Sequence, residues 1–177
     1  MVAGNSWNIN TAYGDDDNNP LEGYSGSLLE DEFCPTCKRG AWFDRSKPTD
    51  DQYMPRNEAL YKACQNQPDD WLPNKPDPGY GMGKRLHNYV AKELGVDPSD
   101  VFLYTARKSA ADILHGVDAF FFHDRSIVTI DLKLNGGMRR NRKADITMDM
   151  HSGSDEELMG YAADIAMLIK PRALSRY

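Results

Sequence analysis

The stretch that most limits what this chain can fold into is Gly116 to Leu134, GVDAFFFHDRSIVTIDLKL. Two runs dense in β-branched and aromatic residues, Val117 to Phe122 and Ile127 to Leu134, flank a polar His-Asp-Arg-Ser, which predicts a β-hairpin. Whether Phe122 pairs with Ile127 or His123 with Ser126, the paired numbers have the same sum. The register therefore sets Asp118 opposite Asp131.

Directly opposed residues share a face with Cβ atoms roughly 4.5–5.5 Å apart, where like charges destabilise the pair. Lys133 emerges on the same face, two residues beyond Asp131. Desolvated carboxylates repel and their pKa values rise. A bound divalent cation removes the conflict, and oxygen donors of this kind suit Mg²⁺ or Mn²⁺, which take one or two carboxylates, several waters and substrate phosphate. Lys133 would then orient or deprotonate the attacking water, or stabilise charge on phosphorus.

The pattern Asp118, a hairpin, then Asp131-Leu132-Lys133 resembles the PD-(D/E)XK superfamily of nucleases, which includes restriction endonucleases and Holliday-junction resolvases. Val117 stands where the family's name has proline, and the resemblance covers residues from about 83 to 170. It implies an α/β fold with a restriction-endonuclease-like core (helix, strand, β-hairpin, strand, helix). It also implies catalytic roles for Asp118, Asp131 and Lys133, with the two aspartates as ligands of Mg²⁺ or Mn²⁺. Asp112 is a rival for the first ligand, and Glu93 is a candidate additional acid from the preceding helix.

Charge is unevenly spread along the 177 residues, which carry a net charge of −6. Residues 1–80 hold twice as many acidic as basic side chains, whereas 81–177 are near balance. Within the second part Arg139, Arg140, Arg142 and Lys143 follow the candidate ligands directly and form a phosphate-contacting loop in this reading, with nucleic acid, DNA foremost, as the partner. Two domains are expected: an irregular acidic N-terminal extension over 1–80 and the nuclease-like core over 81–177. The Pro/Gly-rich stretch from Gln67 to Gly83 marks the boundary.

The mean hydropathy of −0.66 and the absence of a long apolar run exclude a membrane-spanning class. The first residues have neither a basic nor an apolar signal region, so a cytoplasmic protein is expected. Three cysteines make no disulfide framework. Cys34 and Cys37, as C-x-x-C, are candidate zinc ligands, with Cys64 and His87 as the remaining donors a tetrahedral site would need.

Periodicity predicts further elements. Ser27–Phe33 and Asn57–Gln65 read as helices, the first carrying Glu30, a candidate acid for the site that reads more simply as part of a solvated face. Lys84–Leu94 reads as a core helix stopped by Gly95, with Lys84 and Arg85 as possible phosphate contacts. Val101–Thr105 reads as a strand, and residues 106–115 as a lead into the hairpin, with His115 and His123 at the ends of its first strand as candidates for the chemistry that read more simply as structural or exposed. Ala144–Met150 alternates as a half-buried strand with Asp145 and Asp149 in solvent. A capping box at Ser154 opens a helix that ends at Pro171.

Two functions are thereby distinguished: a metal-dependent endonuclease, or a catalytically silent nuclease-like fold serving as a binding or structural subunit, for instance in a phage or nucleoprotein assembly. A homodimer or larger assembly is compatible with either.

Overall fold

The computed structural model describes residues 26–47, 50–76, 79–134 and 144–170. Four strands, β1 (Phe102–Thr105), β2 (Ala119–His123), β3 (Ser126–Leu134) and β4 (Ile146–Met150), form one mixed sheet in the order β1-β2-β3-β4. The first three are antiparallel neighbours and β4 runs parallel to β3. Among the described residues five α-helices accompany them: α1 (Gly26–Phe33), α2 (Arg56–Gln65), α3 (Gly81–Leu94), α4 (Ala110–His115) and α5 (Asp155–Ile169). The chain is thus a mixed α/β protein.

The hairpin has the expected register, with Phe122 beside Ile127 and His123 beside Ser126. Its two-residue turn, Asp124-Arg125, has positive φ at both positions (44° and 66°). Such backbone matches the right-handed twist of the flanking strands, so the turn closes tightly.

Alternation in β3 divides the molecule. Val128, Ile130 and Leu132 face one apolar layer with Met148 and Met150 of β4, Leu86 and Val90 of α3, and Leu158 and Ile165 of α5. Phe120 of β2 faces the other layer, with Ala59, Leu60 and Ala63 of α2 and Ala110 and Ala111 of α4. Gly95, in the left-handed region at φ 73°, ends α3. Ser154 caps α5 by accepting the Glu157 N–H, while the Glu157 carboxylate reaches back to three preceding backbone N–H groups.

Two expectations need correction. The lead-in to the hairpin contains a short helix, α4, capped by Ser109, whose hydroxyl accepts from Ala111 N–H. Asp145 is not simply solvated, because its Oδ2 accepts from the Thr129 N–H (2.8 Å) and hydroxyl (2.6 Å) and pairs with Arg56 (3.0 Å). Packing runs across residue 80. Leu29, Phe33, Cys34 and Trp71 belong to the same apolar layer as α3 and α5, and Cys37 and Ala41 to the opposite one. The Trp71 indole donates to Leu103 O (3.0 Å), and Leu103 N–H donates to Pro73 O (2.7 Å), so this connector covers the open edge of β1.

Candidate active site

Gly116, at φ 60°, ends α4 and turns the chain into β2. Val117 is buried in the second layer, which places Asp118 at the mouth of the strand. There the ladder departs from simple opposition. The last pair is Ala119 with Ile130. Asp118 N–H donates to Ile130 O (2.8 Å), and its Oδ2 accepts the Leu132 N–H (2.7 Å). The carboxylate has taken the place of a ladder carbonyl, so Asp118 and Asp131 are not a directly opposed pair.

Asp118 is 6% exposed. Burial pushes its carboxyl up to about 8; the Leu132 N–H opposes this, and the charges of Asp112, Glu30 and Asp131 add to it. Asp131 and Lys133 lie on the same face of β3 and pair at 2.6 Å. Burial alone would lower the lysine's pKa. The bond to Asp131, with the charges of Asp131, Asp118 and Glu30, outweighs burial and raises it. Lys133 is therefore a held ammonium, suited to stabilising negative charge and not to removing a proton.

Two further acids converge here. Glu30 of α1 is half-buried, and burial raises its pKa against the pull of Arg107. Asp112 of α4 is likewise raised by burial, while its Oδ2 accepts from Lys108 N–H (2.7 Å). Arg107 is 5% exposed. It donates to Cys34 O (2.8 Å) and Asp31 Oδ1 (2.7 Å), and its Nε lies 3.4 Å from Glu30 Oε2, which ties α1 to the sheet. In the sequence Glu30 reads chiefly as part of a solvated face and only secondarily as an acid of the site, and Arg107 does not stand out. A lone arginine between apolar runs was the only signal.

Among the described residues, no group of three or more His, Cys, Asp or Glu side chains is placed to hold a metal ion. Asp118 and Asp131 offer a two-carboxylate donor set, which fits a cation that keeps most of its waters, such as Mg²⁺ or Mn²⁺, and not one needing a closed protein cage. The cysteines are differently disposed. The Cys34 thiol faces Asp118 O (4.0 Å) and the Cys37 thiol donates to Thr105 O (3.2 Å). Burial pushes both up to about 12, so both are protonated members of the apolar layers.

The other candidates lie elsewhere. Glu93 is exposed near the end of α3, the helix that covers the opposite sheet face. Arg85 is engaged by Asp155 (2.7 Å) and Gly153 O (3.0 Å). His87 is buried with Nε2 at 2.9 Å from Val101 O. His115 and His123 contact the carbonyls of Met54 (2.8 Å) and Asp100 (2.9 Å). Arg139, Arg140, Arg142 and Lys143 fall outside the described residues. Among the described residues no helix is long and apolar enough to cross a membrane.

Comparison of the chain with protein-family models, with curated proteins and with solved structures gave no match.

Proposed function

We propose that this chain is a metal-dependent endonuclease, hydrolysing DNA phosphodiester bonds at a site of the PD-(D/E)XK kind built from Asp118, Asp131 and Lys133. The observation that carries the reading is the burial of Asp118 among other acids, beside an ammonium held on Asp131. An apolar environment and like-charged neighbours are a costly place for a carboxyl group unless a cation completes it.

Asp118 and Asp131 would hold the Mg²⁺ or Mn²⁺. When bound, the ion supplies a Lewis acid for the phosphoryl oxygen and lowers the pKa of an attacking water. Lys133, protonated and fixed by its 2.6 Å contact, stabilises the negative charge that grows on the phosphoryl oxygens. Leu132 N–H holds one oxygen of Asp118 and so orients the carboxylate.

A second reading, the silent nuclease-like scaffold, is favoured by one observation. Lys133 already neutralises Asp131, and Asp118 retains its proton up to about pH 8, so the site is close to charge balance by itself.

The deciding experiment is cleavage of linear, nicked, branched and single-stranded DNA with Mg²⁺ or Mn²⁺ by the wild type, Asp131→Ala and Lys133→Ala, alongside Mn²⁺ calorimetry. The endonuclease reading expects cutting that both variants lose while folded, and Mn²⁺ binding lost in Asp118→Asn. No cutting and no carboxylate-dependent Mn²⁺ binding leaves the scaffold.

A further inference from the structure

Beside the acid cluster lies a second gathering of like charges, this time positive. Residues 37–43 run along the 105–109 turn: Cys37 N–H donates to Arg107 O (3.2 Å), Phe43 N–H donates to Lys108 O (2.8 Å), and Trp42 bridges Ser109. Trp42 is 41% exposed, yet its indole N–H is fixed on Cys37 O (2.5 Å). Over its ring stand two cations, Arg39 with its guanidinium carbon at 5.6 Å and Lys108 with Nζ at 4.9 Å.

Neither cation, nor the exposed Arg45, forms an ion pair with a carboxylate among the described residues, although the Arg45 charge acts on Asp112. The nearest acid in sequence, Asp44, is engaged by Ser46 and Lys47. Lys108 moreover sits in the left-handed region (φ 63°), which a lysine adopts only at a cost. Two cations on one indole, one of them on strained backbone and neither in an ion pair among the described residues, suit an anion from outside the fold.

The position of the cluster narrows the choice of anion. Lys108 N–H is the donor to Asp112 Oδ2 (2.7 Å), and Asp112 lies within electrostatic reach of Arg45, Lys133 and Asp118. Asp112 is thus a neighbour common to the positive rim and the acid pair. A ligand with regularly repeated phosphates is the anion class that can engage both. Pinning Arg39 and Lys108 on the indole removes part of the side-chain entropy that binding costs.

We propose that Arg39, Arg45 and Lys108, organised by Trp42, form a backbone-tracking subsite for a DNA strand whose scissile phosphate lies at Asp118 and Asp131. The inference rests on the endonuclease reading for the place of that phosphate, but binding to the rim is measurable without cleavage.

The test is fluorescence anisotropy of labelled single-stranded and duplex DNA in EDTA, over a salt series, with the full chain. The variants are Arg39→Gln/Arg45→Gln/Lys108→Asn, in which Asn tolerates the left-handed backbone, and Trp42→Leu, which leaves the charges in place. With each lost cation worth about 0.7–0.9 in the slope of log K against log salt, the triple variant is expected to lose about 2 in slope and at least ~10-fold in affinity near 0.1 M salt. Trp42→Leu is expected to weaken binding with little change in slope.

Wild type that binds no DNA, or a triple variant with unchanged affinity and slope, overturns the subsite. So does poly-glutamate that competes as well as DNA of equal charge, since the partner is then an acidic protein. Binding through the rim without cleavage by the wild type overturns the endonuclease reading and keeps the subsite. Cleavage that the triple variant retains with unchanged KM and salt dependence does the reverse.

Discussion

Asp118 links stability to metal affinity. Its carboxyl is raised to about 8 in the folded chain against roughly 3.9 when exposed. Between these values the native state holds a proton that the unfolded state has released. Stability from this residue is therefore fully present at low pH and declines as pH rises towards 8, by at most about 1.4 kcal/mol per pH unit. Urea titrations from pH 5 to 8.5 should show this decline, and Asp118→Asn should flatten it and raise stability at pH 8. Because a ligating carboxylate must be ionised, Mn²⁺ affinity should rise over the same window, and calorimetry in buffers of different ionisation enthalpy should report proton release. Lys108 gives a second prediction at this scale. Lys108→Gly relieves a left-handed residue, so chemical denaturation should find it at least as stable as the wild type, to within about 0.5 kcal/mol, while its DNA affinity falls.

At the scale of elements, two features fix the site. The hairpin turn carries non-glycine residues at both positive-φ positions. The double change Asp124→Asn/Arg125→Gly should stabilise the protein by about 1 kcal/mol without moving the register, as denaturation and amide exchange of β2 and β3 would show. The other feature is the close approach of α1 to α3. A Cβ on Gly83 would meet Phe33 O at 2.0 Å, a backbone atom with little room to yield. Gly83→Ala should cost about 1–3 kcal/mol. If α1 is displaced as a unit, Glu30 and Asp31 are drawn away from Arg107, so on the endonuclease reading cleavage should suffer more than global stability. The hairpin and its side-chain alternation were legible because period-2 patterning and turn chemistry are local. The docking of α1 was not, because Gly83 reads in sequence as part of a Pro/Gly-rich connector and reveals its role only when Phe33 lies against it.

For the whole molecule, the distribution of the cysteines tests whether the two apolar layers open together. Cys34 belongs to one and Cys37 to the other, both buried and pushed up to about 12, whereas Cys64 is partly exposed and raised to about 11. Iodoacetamide labelling should modify Cys64 slowly in the native state. Cys34 and Cys37 should react only in the main unfolding transition, both at the same denaturant concentration; reaction of Cys37 at lower denaturant would mean that residues 37–63 open separately. Sequence alone determined most of the elements, α4 excepted, and the hairpin register, and through them the placing of Asp131 and Lys133 on one face, because each follows from the spacing of neighbours along the chain. It could not determine the offset at Asp118, where a side chain replaces a ladder carbonyl, nor the arrival of Glu30, Arg107 and the Trp42 rim. The Arg107 contacts with Glu30 and Asp31, and that of Lys108 with Trp42, join residues more than 60 apart. Tertiary packing decided them, since only a buried environment makes an acid retain its proton or turns a lone arginine into the clasp of three backbone and side-chain oxygens.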